Sequence, residues 1–334
     1  MEKNSMSAFA AKMSDAELFG FFSGDQFYSN PELAKAVCQE VENREAALTG
    51  RKPATVKFVK MTDAVNGQSC GGSILLNENS LIKNIKKDPG AVLVTILHEG
   101  RHEWQNWMIK HHPESIPESV IQMMLVDYAC YTSCDNIESV IDVGIEDKER
   151  QAWIEYSMQE IEIDARFYAI YRMKQIAEKY NLHEIFQETI EKAVDRELMN
   201  LDILHENMDA DQYKLLERFQ LDKYKEFCIK TPNCPMPPEN CICYGNIRMI
   251  QNIVYPAYYT ISKSLPKEFA VLINRQLMYD LYKEARLNMM NGTPLESPEQ
   301  LIRIILSDND FKAEYRIKDQ DLSKELTLKK TIGM

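Results

Sequence analysis

Cysteine, histidine and basic charge are all in short supply in this chain, and so are long apolar runs. Eight cysteines in 334 residues are too sparse for a disulfide scaffold. Lys and Arg number 39 against 51 Asp and Glu, and the resulting charge of -12 argues against nucleic-acid backbones and anionic lipid as partners. No apolar run approaches the roughly 20 residues of a membrane span, so no membrane association is expected. The N-terminal stretch MEKNSMSAFAAKMSDAELFG has no continuous apolar segment of the secretory type. A cytoplasmic address is therefore expected, although export without a cleaved signal fits the same residues.

Helix signals dominate what is present. Asn30-Pro31 opens one helix and Gly50 closes it. Two strand-like runs follow, Thr55–Val59 and Ser73–Asn77, the second after Gly71 and Gly72. These glycines are expected either to form a turn or to allow another backbone to approach closely. Asp88-Pro89 opens a helix predicted to reach about His111, and another is predicted from Pro117 to about Tyr131. Residues 147–180 read as one helix uninterrupted by Gly or Pro, with further helical segments near 182–200, 208–228, 246–264, 266–291 and 298–307. The expected architecture is α+β, mostly helical, with a small sheet packed on the helix that begins at Pro89. Residues 1–230 are expected to form the catalytic domain, with its core at about 55–175. Residues 231–243 would be a Pro/Cys-rich connector, and 244–334 a helical C-terminal part.

Against that background, His98-Glu99-Gly100-Arg101-His102 stands out. Histidines at i and i+4 share one helix face and can hold one metal ion between them, and a glutamate beside them can take a proton from water. With only six histidines in the chain, the pairing is not the by-product of a histidine-rich tract. A catalytic zinc expects a third protein ligand. The segment Gln159–Ala169 offers Glu160, Glu162 and Asp164. Glu160 lies on the bulky stripe Trp153, Tyr156, Ile163, Phe167, Ile170. Glu162 lies on the narrower stripe Met158, Ala165, Ala169, Met173, Ile176, which lets a neighbouring helix come close. Glu162 is the favoured ligand, Glu160 stays an alternative, and Asp164 is a candidate to hydrogen-bond a ligand histidine. The competing reading of these acids is a solvated face with Glu162 and Arg166 as an i, i+4 pair.

The motif pair resembles the gluzincin metallopeptidases, whose pattern is HExxH followed by a downstream glutamate helix. Glu162-x-x-Ala165 with Tyr168-Ala169 is similar to the E-x-x-A-N-x-F-A segment of small gluzincins that cleave phage-type repressors, although this chain carries Arg166 in place of Asn. Arg101 and Gln105 extend the motif to HExRHxxQ, which looks like a minimal bacterial subgroup of that family. Glu160 with Asp164 would instead match the ExxxD arrangement of thermolysin-like members. The resemblance covers roughly residues 55–175. It implies a zinc peptidase with His98, His102 and Glu162 as ligands, Glu99 as general base and a protein or peptide as substrate. It also implies that Ser73–Leu76 is an edge strand able to pair with extended substrate.

Two other classes fit less of the sequence. One is a zincin-fold binding or regulatory protein without activity, which would not need Glu99 between the histidines. The other is an effector or toxin protease directed at one host or phage protein, the segment after the core selecting its target. Cys228, Cys234, Cys241 and Cys243 could hold a second, structural zinc, but their spacing lacks short CxxC pairs. Cys130 and Cys134 read as packed, and Trp104 and Trp107 as core contacts. His111 and His112 suit a helix C-terminus, and His205 is a weak candidate for a substrate-side role.

Overall fold

The computed structural model describes residues 3–23, 25–62, 65–82, 88–133, 142–231, 245–263, 272–308 and 312–313. It is α+β and mostly helical, with one small mixed sheet among the described residues. The chain forms two compact units, each assembled from two stretches: Met1–His111 with Ile161–Asp195, and His112–Glu160 with Arg196–Met334. The contiguous partition expected from sequence turns on the connector 231–243, of which all but Thr231 lies outside the described residues. No described helix is long and apolar enough to cross a membrane.

In the first unit, α1 (Lys3–Ala10), α2 (Asp15–Gly20) and α3 (Asp25–Ser29) precede the long α4 (Pro31–Leu48). The Asn30 side chain accepts from the Leu33 amide at 3.1 Å, Pro31 occupies the first turn, and Gly50 leaves the helix at φ +71°. These are the start and stop devices read from the sequence.

Strands β1 (Thr55–Val59), β2 (Gly67–Ser69) and β3 (Ser73–Asn77) form a sheet in the order β1-β3-β2. β1 runs parallel to β3 with Thr55 opposite Ser73, and β2 runs antiparallel with Ser69 opposite Ile74. β3 is therefore the central strand and β2 an edge strand, the reverse of the expectation that Ser73–Leu76 is free to pair with substrate. Both sides of β3 are already hydrogen-bonded. β2 is only three residues long and lacks an apolar/polar alternation, so nothing local announces it. Ile74 and Leu76 alternate inward and are fully buried. Gly71 and Gly72 form the β2–β3 turn at φ +51° and +90°. A Cβ at either would meet nothing within 4 Å, so they serve the turn and not a close approach. The close approach falls instead at Gly67, where a Cβ would lie 2.6 Å from Thr95 Cγ2 and 3.2 Å from Glu99 Cγ.

α5 (Pro89–His111) packs on this sheet and on α4. Val92, Leu93, Ile96 and Leu97 join one core with Val37, Val41, Ile74 and Leu76. α8 (Glu160–Lys179) contributes Ala169, Met173, Ile176 and Ala177 to the same core. Where α5 crosses α4, Gly100 lies over a buried ion pair: Arg51 donates to Glu42 through Nη1 at 2.5 Å and Nη2 at 2.9 Å. Glu42 also accepts the Ala54 amide at 2.7 Å. A Cβ on Gly100 would sit 3.0 Å from Glu42 Oε2, which explains a glycine in the middle of the motif helix.

The second unit is helical: α6 (Glu118–Ala129), α7 (Lys148–Ser157), α10 (Ala210–Lys230), α11 (Gly245–Met249), α12 (Tyr255–Ser262), α13 (Leu272–Met290) and α14 (Pro298–Ser307). The remaining helix, α9 (His183–Asn207), contributes residues to both units. The uninterrupted helix expected over 147–180 is broken at Met158–Gln159. The breaker is tertiary. The Asp127 carboxylate accepts the Glu160 amide and starts a new helix, while the Gln159 side chain bonds the Thr132 backbone at 2.8 and 3.0 Å. Residues Ile250–Val254 between α11 and α12 widen to a π-helix just before Pro256, whose ring nitrogen has no proton to donate.

Removing one partner of a buried ion pair strands the other charge. Glu42→Ala is therefore expected to lower unfolding stability by about 3–5 kcal/mol in urea titration, and the double change Glu42→Leu/Arg51→Met by much less. Equal losses in the two variants would show that the pair itself is not what matters.

Candidate metal centre

α5 presents His98 and His102 one turn apart on the same face, and α8 brings Glu162 against them. The two imidazole Nε2 atoms are 3.1 Å apart. Glu162 places Oε2 3.5 Å from His98 Nε2 and Oε1 3.7 Å from His102 Nε2. Donors held 2.0–2.2 Å from a tetrahedral ion lie roughly 3.3–3.6 Å from one another. The observed triangle brackets that spacing, and two imidazoles with one carboxylate are a donor set that suits a divalent transition-metal ion. His98, His102 and Glu162 are thus the residues that could hold a metal.

The choice between the two glutamates follows from the shape of α8. Ala165 and Ala169 are fully buried one and two turns beyond Glu162 and let the helix lie close. Glu162 itself is 2% exposed, with Arg166 at 4.0 Å, so the solvated-face reading does not describe it. Glu160 is taken up in the second unit, where Arg286 Nη1 donates to it and to Asn246 Oδ1, both at 2.7 Å. Asp164 does not touch a histidine as expected. It accepts Arg101 Nε at 2.7 Å and Nη2 at 3.1 Å, and Gln105 Nε2 at 2.7 Å.

Glu99 is buried beside this triangle. Burial raises its carboxyl pKa, the Glu162 charge adds to the rise, and the two imidazoles and the Ser69 amide offset part of it. Burial also pushes Glu162 upward, but His102, His98 and Arg166 outweigh it and hold this carboxyl well below the usual range. For His98, burial favours the neutral ring, and the Glu162 hydrogen bond with the Glu99 and Glu162 charges reverses the sign, so its pKa is raised.

Two residues that sequence reading overlooked hold the edge strand in place. Glu103 accepts Ser69 Oγ at 2.6 Å and the Gly72 amide at 2.8 Å. Ser69 thus meets Glu103 through its hydroxyl, while the next glutamate along the helix face, Glu99, lies against Gly67 of the same strand. Glu103 lies one turn after Glu99 on α5, but nothing in the sequence marks its partner 34 residues earlier.

The other candidates fall elsewhere. Trp104 is buried with the Arg101 guanidinium 3.5 Å above its ring, whereas Trp107 is half-buried and stacks on His111. His112 sits at φ +45°, just past the helix. His205 belongs to the second unit, where Tyr259 Oη lies 2.8 Å from its Nε2 and Tyr255 packs on its ring. Cys130 is buried, as expected of a packed thiol. Cys134 lies outside the described residues, as do Cys234, Cys241 and Cys243, three of the four thiols considered for a second zinc; the fourth, Cys228, is half-buried.

Comparison with models of protein families, with curated proteins and with solved structures finds no match to this chain. The likeness to gluzincins therefore stays with the motif residues.

Zinc added to the metal-free chain is expected to bind at about one equivalent, and His98→Ala, His102→Ala or Glu162→Ala to cut its affinity sharply in competition titrations. Glu160→Ala should leave affinity intact while lowering stability, because Arg286 loses the Glu160 carboxylate from its buried set of partners. If Glu160→Ala instead abolished binding, the ligand assignment would be wrong. A metal ion bound at His98 would have to displace a proton, and the raised pKa of this imidazole sharpens that competition, so affinity is expected to fall as pH drops through the histidine range. A flat profile between about pH 8 and 5 would contradict this geometry.

Proposed function

We propose that this chain is a zinc-dependent peptidase in which Glu99 is the general base. The observation that carries the reading is the convergence of a three-donor triangle of tetrahedral spacing with a fourth, buried carboxyl that belongs to no ion pair with Lys or Arg among the described residues. A structural zinc site needs four closed ligands and no such carboxyl.

His98, His102 and Glu162 would hold the ion, which when bound supplies Lewis acidity: it polarises a peptide carbonyl and acidifies water. Glu99 carries the proton traffic. Its raised proton affinity, caused first by burial, makes it a better base than an exposed glutamate. Glu99 would take a proton from the attacking water as its oxygen bonds the peptide carbonyl carbon, and would return that proton to the amine nitrogen as the C–N bond breaks. β2, the edge strand held by Glu103 and lying against Glu99 at Gly67, is the element beside the base along which an extended peptide would lie. The substrate class on this reading is an extended segment of protein or peptide.

Glu99→Gln separates binding from chemistry. The amide cannot accept a proton, so the variant should keep its zinc and lose cleavage of a peptide library by roughly 10²–10⁴-fold. Full activity in Glu99→Gln would remove the mechanism. Zinc bound to the wild type without cleavage of any library member would favour a binding protein.

A further inference from the structure

Three residues around the metal centre form a chain of hydrogen bonds that ends on a ligand. Arg101 grips both oxygens of Asp164, at 2.7 and 3.1 Å. Asp164 Oδ2 also accepts Gln105 Nε2 at 2.7 Å, and the same nitrogen reaches the Ile161 carbonyl at 2.9 Å. Gln105 is 3% exposed, and its Oε1 lies 2.8 Å from His102 Nδ1.

The direction of this chain is forced. An arginine donates only, so Asp164 accepts from it as a carboxylate. Carboxylate and carbonyl oxygens accept only, so the end of the Gln105 amide that faces both must be its NH₂. The other end is then the amide oxygen, which can only accept. His102 Nδ1 must therefore carry the hydrogen. A neutral imidazole has one N–H, so its Nε2 is left with a lone pair. That atom is the one aimed at His98 Nε2 and Glu162.

We infer that Arg101, Asp164 and Gln105 are positioning residues that lock His102 in its Nδ1–H tautomer, presenting Nε2 ready to ligate. This inference rests on the metal-centre reading and adds what readies the site before an ion arrives. Free histidine favours the opposite tautomer, and a ligand must leave that form before it can bind through Nε2. The relay removes that step. Arg101 also fixes Asp164: the guanidinium holds both carboxylate oxygens, and without it nothing in the relay would keep Oδ2 turned to the Gln105 amide. The Trp104 ring against the Arg101 guanidinium, with Tyr168 at 4.8 Å on another side, keeps the arginine from swinging away.

The test uses the full chain, first metal-free at about pH 8, where neutral histidine dominates. Long-range ¹H–¹⁵N spectra of ring-labelled protein read the His102 tautomer directly. Wild type should show Nδ1–H. Gln105→Met, near in shape but with no oxygen to accept, should shift His102 toward Nε2–H. It should also weaken zinc binding on the order of 10–100-fold, measured against a chelator. Asp164→Asn should give a partial shift, because its amide can no longer fix which way Gln105 points. Nε2–H on His102 in the wild type would overturn the relay, and this measurement needs no variant to fold. Tight zinc binding combined with an unshifted tautomer in a folded Gln105→Met would overturn it equally. Nδ1–H in a wild type that takes up no zinc would uphold the lock and remove the metal reading, so the two failures are told apart.

Discussion

A carboxylate at 2% exposure is expensive to bury, and two imidazoles and Arg166 beside Glu162 offset that cost. That requirement sets the spacing of the first unit. α8 must lie close enough to α5 for a short side chain to reach across, which needs Ala165 and Ala169 at the contact. Once the helices are that close, Ile161 and Asp164 fall within reach of Gln105 and Arg101, and the polar network on the same seam follows.

The first unit treats its other buried acids the same way. Glu42 has Arg51 and the Ala54 amide, Glu45 has Arg172 and the Tyr168 hydroxyl, and Glu103 has Ser69 and the Gly72 amide. Each ties α4 or α5 to a loop, strand or helix at one register. Such pairs add little net stability because desolvation offsets the attraction, but a slip of one residue would strand a charge. They therefore specify the arrangement more than they strengthen it. Glu99 differs in kind: buried, with a raised proton affinity and no Lys or Arg partner among the described ion pairs, it is the acid least explained by structure alone.

Much of this is legible locally. Asn30-Pro31 and Asp88-Pro89 carry their helix starts in their own side chains and ring geometry. The HExxH spacing puts two histidines on one face whatever surrounds them. The alanine stripe after Glu162 marks which glutamate can approach a neighbour, and the structure places that one beside the histidines. Sequence reading goes astray where a distant residue intervenes. The helix expected over 147–180 breaks because Asp127 caps a new start at Glu160, a partner 33 residues away. β3 reads as an edge because β2, three residues without periodicity, is recognisable only once paired.

By itself, then, the sequence determined the mostly helical α+β class, the principal helix boundaries, and the residue types at the candidate centre together with their spacing. These depend on caps, periodicity and helix geometry, which act within a few residues. Tertiary structure alone decided the strand order, the break before α8, the fate of Glu160 and the orientation of the Gln105 amide. Each of those turns on a hydrogen bond between segments far apart in the chain, and such a bond leaves no periodic trace in the residues that make it.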